Sequence, residues 1–195
     1  MRPVVQIDAC RASHARLLGG LAALTDGDCR GASRLPGYTR ARLISHLTNK
    51  ARAHTSILRG PVAGQVRRLH PEGYDADAAA ASGVERSTLQ LVAELESALG
   101  ELETAWDGLD DELWSAPGIM MAGSRTMVEI VGHHLRNIEV HHVDLDIGYT
   151  PAHWPDAFVE GELAKRMAGL AGRADHADLL AWLLDRAPAP DLSQW

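Results

Sequence analysis

Residues 126–147 read TMVEIVGHHLRNIEVHHVDLDI, and the spacing of their apolar side chains decides the fold. Met127, Val131, Leu135, Ile138 and Leu145 define one face of an α-helix rather than the alternation of a strand. Thr126 and Glu129 stand as T-x-x-E, a capping box in which hydroxyl and carboxylate each satisfy a free backbone N–H. Gly148 predicts the stop, just after Ile147. The histidines of this helix are placed selectively. His134 and His142 fall inside the apolar stripe, and His141 lies on its edge. Asn137 lies one turn before His141 and Asp144 one turn after it, on the same flank.

Working outward, the same period recurs nearly everywhere. A first helix is predicted from Val5 to Leu24, with Ile7, Cys10, Leu17, Leu18, Leu21 and Leu24 on its face. A second runs from its N-cap Thr39 to about Arg59, with Gly60 as the stop. A third runs from about Gly83 to Trp106, with Leu91, Leu95, Leu99 and Leu102 aligned. Pro151 and Pro155 punctuate a linker to two short helices, roughly Asp156 to Leu170 and Asp175 to Arg186. Residues 107–124 read as a connection, and no β alternation is visible. The expectation is therefore an all-α, up-down-up-down four-helix bundle over residues 1–150, with a short helical extension over residues 151–195.

Composition narrows the function. The chain has 195 residues, 46% hydrophobic and 23% charged, a globular balance that can bury a core without staples. Its 19 basic residues, of which only Lys50 and Lys165 are lysines, face 26 acidic ones. A net charge of −7 argues against nucleic acid and against a polybasic membrane anchor. No apolar run reaches a membrane span, and the N-terminal stretch lacks the apolar core of a secretory signal. A cytoplasmic protein is expected. Cys10 and Cys29 allow one disulfide without demanding it.

The second helix reads LISHLTNKARAHTSIL over residues 43–58. His46 lies at the edge of its apolar stripe; His54 lies near the centre and reads as a core histidine. A histidine on an apolar face costs burial energy unless its nitrogens find partners. His46 and His141 on facing helices, with an oxygen donor one turn away, make a three-ligand metal site with an open position. Neutral imidazoles suit Zn²⁺ or a similar first-row ion.

Three stretches carry a resemblance: LTDGDCRGASRLPGYTRARLISHL (residues 24–47), RNIEVHHVDLDIGYTPAHWPDAF (residues 136–158) and LLAWLLDR (residues 179–186). Together they resemble the mycothiol-dependent maleylpyruvate isomerase family, whose N-terminal bundle is of the DinB type. The resemblance implies that His46 and His141 are metal ligands and that Asp144 is a functional acid. It also implies that Arg186 reaches the site to hold a substrate carboxylate. The family's third ligand is a glutamate four residues before the second histidine, where this chain has Asn137. A neutral amide oxygen is a poorer zinc ligand than a carboxylate. The family's small C-terminal α/β domain is expected here in shortened form, with only its first and last helices, leaving an apolar face on which two chains could pair.

The implied chemistry is thiol catalysis: a divalent metal, expected to be zinc, activates the mycothiol cosubstrate. The thiolate adds to a cis double bond, the adduct rotates, and elimination returns the trans isomer. A mycothiol S-transferase for detoxification or natural-product sulfur incorporation needs the same thiolate without the return step. A bundle that has lost its metal and only binds a small molecule is the reading from another class.

Overall fold

In chain order the helices are α1 (Val4–Leu21), α2 (Asp26–Arg30), α3 (Arg40–Val62), α4 (Ala76–Ala81), α5 (Thr88–Asp107) and α6 (Met127–Asp144). After them come α7 (Asp156–Leu170) and α8 (His176–Leu183). The computed structural model describes residues 1–192; the last three residues of the expected 151–195 segment lie outside the described residues.

The long helices start where capping chemistry requires. Thr126 opens α6 with the expected box: its N–H donates to Glu129 at 2.8 Å, and its hydroxyl accepts the Glu129 N–H at 3.3 Å. Ser87 and Gln90 form the same box on α5, so that helix begins at Thr88 and not near Gly83. Thr39 caps α3. Gly60 does not stop α3, which continues through Pro61 to Val62. Pro61 has no N–H to offer the Ile57 carbonyl, and the helix ends one residue later. What Gly60 provides is a close approach, because a Cβ there would lie 2.8 Å from the Gln65 carbonyl oxygen.

The all-α bundle of the DinB type is what the chain forms, and the contacts define its circuit. α1 packs on α5 and α6, and α3 packs on the same two helices. Cys10 meets Val131, His14 meets His134 and Ser13 meets Glu139, so α1 and α6 run parallel. Arg52 pairs with Glu94 and Arg59 with Glu101, so α3 and α5 also run parallel. His46 meets His141 and His54 meets His134, so α3 and α6 run antiparallel. The expected up-down-up-down direction is therefore corrected to up-down-down-up. Residues 63–87, with α4 inside them, form the long crossover that lets α5 repeat the direction of α3. Leu17, Leu43, Leu47, Ile57, Leu95, Trp106 and Ile138 fill the centre, each almost wholly removed from water.

A second correction concerns the segment before α6. It carries a hairpin, β1 (Pro117–Met120) paired antiparallel with β2 (Gly123–Thr126), in place of an irregular connection. Arg67 and Leu69 extend it through backbone bonds of 2.9 and 2.8 Å to Ile119. Four-residue strands containing Gly and Pro carry no periodicity to detect. Gly118 sits against the bundle, where a Cβ would fall 2.8 Å from Ile57 and 3.1 Å from Ile130 and Met127. Gly118→Ala is expected to lower stability by about 1–3 kcal/mol through overpacking, read as a drop in thermal midpoint. An unchanged midpoint would show that the hairpin rides loosely on the bundle.

The chain divides into two units, residues 1–152 and 153–195. In the second, Asp175 caps α8 through bonds to the N–H groups of Ala177 and Asp178, and Trp154 meets Phe158 edge-on at 5.5 Å. Cys10 and Cys29 are both buried free thiols. Among the described residues no helix is long and apolar enough to cross a membrane.

Candidate functional site

Antiparallel packing of α3 on α6 turns two sequence patterns into one constellation. On α3, His46, Lys50 and His54 follow one another at successive turns. On α6, His133, Asn137 and His141 do the same. His46 and His141 meet edge-to-face, with ring centroids 5.1 Å apart and planes at 84°. Both are half-buried.

The electrostatics keep these rings available as ligands. Burial first, and then Coulombic repulsion involving the His141 ring and Lys50, push His46 down to about 4, so it is a neutral imidazole near pH 7. His141 Nδ1 lies 2.8 Å from Asp144 Oδ2. In the neutral tautomer Nδ1–H donates to that carboxylate, and the Nε2 lone pair remains for a ligand. The Asp144 main-chain carbonyl accepts the Arg34 N–H at 2.7 Å, which ties the end of α6 to the segment before α3.

Asn137 completes the set in an unexpected way. Its Oδ1 is buried and has no hydrogen-bond partner, a costly state for an amide oxygen. A cation would satisfy it. No group of three His, Cys, Asp or Glu residues among the described residues could hold a metal. Two imidazoles and an orphaned oxygen fit a first-row divalent ion, more weakly than a set containing a carboxylate. Arg186 lies in the second unit, is exposed, and donates to the Asp185 carbonyl at 3.3 Å.

Beneath this pair runs a second histidine cluster that sequence reasoning did not assemble. His14 Nδ1 lies 2.6 Å from Glu103 Oε1, His14 Nε2 lies 2.8 Å from His134 Nε2, and His134 Nδ1 lies 3.0 Å from His54 Nδ1. One direction of donation, from His54 through His134 and His14 to Glu103, satisfies every contact with all three rings neutral. It leaves the His54 Nε2 lone pair buried and unpartnered. Burial drives His54 down to about 3 and His134 well below its ordinary value. His54 is thus a core residue as expected, though an incompletely satisfied one. The available signal was His14, three residues before Leu17 and four after Cys10 on the stripe of α1.

Glu139 points away from the His46–His141 pair, as its angular offset from His141 requires. It is nevertheless buried, accepting from the Ser13 hydroxyl, from Arg16 at 2.7 Å and from the Tyr149 hydroxyl at 2.5 Å. Burial, and then Glu139, push Tyr149 up to about 12. Two surface clefts of about 440 and 580 Å³ lie elsewhere, the first beside Leu58 and Thr104, the second beside Thr39 and Gln90. Neither is lined by a histidine, so neither is the candidate site.

Comparison with known proteins follows this geometry. The sequence profile of the mycothiol maleylpyruvate isomerase N-terminal domain matches residues 10–146. The crystal structure of the mycothiol-dependent maleylpyruvate isomerase is similar over 85% of this chain and 69% of that one, with 19% identity and a TM-score of 0.80. A histidine-to-alanine mutant of that isomerase gives 19% identity over 89% and 75%, with a TM-score of 0.81. YfiT from Bacillus subtilis, a candidate metal-dependent hydrolase with an unusual four-helix bundle topology, gives 16% identity over 84% and 86%, with a TM-score of 0.62. At these identities the structural likenesses speak for the fold. No curated protein matches the sequence.

Proposed function

From the premise that this chain belongs to the family of the mycothiol maleylpyruvate isomerase N-terminal domain, we propose that it is a metal-dependent, mycothiol-dependent isomerase acting on a small electrophilic substrate. The observation that carries this reading is the edge-to-face pair His46 and His141, with Asn137 one turn before His141 on α6 holding an unpartnered buried oxygen. A divalent ion there, proposed to be zinc, supplies Lewis acidity, and mycothiol supplies the sulfur nucleophile that adds to and leaves a cis double bond.

The chain's own residues have defined tasks in this scheme. His46 offers a neutral nitrogen because burial denies it a proton. Asp144 holds His141 in the tautomer that keeps Nε2 free. Asn137 would give its oxygen without adding negative charge, leaving more of a bound cation's charge uncompensated than a carboxylate would. Arg186 is proposed to take a substrate carboxylate in its guanidinium fork. A mycothiol S-transferase is the second reading, favoured by Asn137: a weaker ligand set departs from the isomerase while keeping a sulfur nucleophile.

Elemental analysis after zinc loading and desalting tests the site. Wild type is expected to retain zinc, and Asn137→Glu to bind it at least about tenfold more tightly because a carboxylate replaces an amide. Less than about 0.2 ion per chain in both proteins would remove the metal from the reading. Incubation with maleylpyruvate and mycothiol then decides the reaction. Formation of fumarylpyruvate supports the isomerase, and a stable thioether supports the transferase.

A further inference from the structure

Lys50 sits on α3 one turn from His46 and one turn from His54, and it is half-buried. Its ammonium lies 3.5 Å from His70 Nε2, a neutral acceptor. Among the described residues it enters no ion pair. Its charge is felt by three rings, His46, His54 and His70, each held below its ordinary value partly by that charge. Asp77, the acid that acts on His46, is engaged by the Tyr38 hydroxyl and by Arg42 at 3.4 Å. His70 stacks flat on Tyr74, with centroids 4.1 Å apart and planes at 6°, and both rings are half-buried.

A half-desolvated ammonium surrounded by neutral imidazoles lacks a counterion. The donor present, a single ammonium without a counterion, matches a carboxylate. A phosphate dianion ordinarily draws on a guanidinium fork, several backbone N–H groups or a helix N-terminus. We propose that Lys50 is a carboxylate-binding subsite for a small-molecule ligand beside the His46–His141 pair. The subsite deepens the functional reading and rests on it only for the statement that this ligand is the substrate. Lys50 places the ligand's acid group within the first unit, independently of Arg186. The Tyr74–His70 stack gives the ligand's carbon chain a flat wall.

The test uses the full chain, stripped of metal with a chelator, and succinate as probe. Lys50 and Lys165 are the only lysines, so a lysine side-chain NMR spectrum contains two ammonium signals. Succinate is expected to shift the Lys50 signal saturably and leave the Lys165 signal in place. In calorimetry Lys50→Met and Lys50→Gln are expected to weaken succinate binding at least about tenfold, whereas Lys50→Arg stays within about threefold. Dimethyl succinate is expected not to bind. Circular dichroism should report an intact fold for both neutral variants, since removing a half-buried charge relieves a desolvation cost. Wild-type affinity in Lys50→Met and Lys50→Gln, equal shifts of both lysine signals, no saturable binding at all, or tighter binding of inorganic phosphate would each overturn the assignment. The probe has no double bond, and neither metal nor thiol is present. Loss of the subsite and loss of the thiol chemistry are therefore separate outcomes.

Discussion

His46→Ala is expected to lower mycothiol-dependent turnover on the order of a thousandfold, equivalent to about 4 kcal/mol of transition-state stabilisation. The ring at position 46 is one of only two imidazoles at the proposed centre, and the third donor is a weak amide oxygen. The set therefore has no spare ligand. His141→Ala is expected to match it, and the double variant to be no worse than either single one, because both rings serve one ion. Asp144→Asn, which keeps the shape but weakens the hold on His141, is expected to cost about 10–100-fold. Alanine suits a helix and His46 is only half-buried, so the thermal midpoint should move little. Full turnover in His46→Ala would sink the site assignment outright.

Acidification is expected to unfold the protein progressively below about pH 6.5, the ordinary histidine value. His54 and His134 are buried neutral, with His54 held down to about 3 and His134 well below its ordinary range. Desolvation is the first cause for each, followed by Coulombic repulsion involving the neighbouring imidazoles and, for His54, Lys50. Both native-state values lie below the unfolded value, so the unfolded chain binds protons that the native chain refuses. The stability they contribute is fully present above pH 6.5 and is lost as pH falls towards the native value. The slope approaches about 1.4 kcal/mol per pH unit for each buried ring. Urea midpoints at pH 7.5, 6 and 5 should therefore fall steadily. A single His134→Leu would strand both neighbouring rings, so the informative variant replaces His14, His54 and His134 together by apolar residues. That triple variant is expected to flatten the profile. A wild-type midpoint constant from pH 7.5 to 5 would mean that the imidazole chain already carries a proton, shared with Glu103.

Particular residues show how far the sequence could be read. Thr126 with Glu129, Ser87 with Gln90, and Thr39 start helices by local chemistry, and for Thr126 and Thr39 the sequence pattern located the start. The α7 limits, Asp156–Leu170, follow from Pro155 and the helical period. His46 and His141 were legible because each breaks an apolar stripe, and a polar ring at a stripe edge needs a partner from outside its own helix. Asn137 was legible as a departure, but its unpartnered oxygen was not, because satisfaction is a property of neighbours. The hairpin at residues 117–126 was missed because its four-residue strands, with Pro117, Gly118 and Gly123 in them, are too short to show an alternation, and the Arg67–Leu69 segment that flanks it lies some fifty residues away. Lys50 carried no signal in the sequence, because its setting beside His70 depends on a segment twenty residues further along the chain.

Periodicity and caps thus determined, from the chain alone, that this protein is helical, where α3 and α6 begin, and that His134 on the α6 stripe had to face inward. Those are local properties, fixed within a turn or two of each residue. The up-down-down-up circuit, the Glu103–His14–His134–His54 chain and the solitary charge of Lys50 were decided only by tertiary packing. Each depends on which helix lies opposite and in which direction it runs, and no spacing within a single helix encodes that.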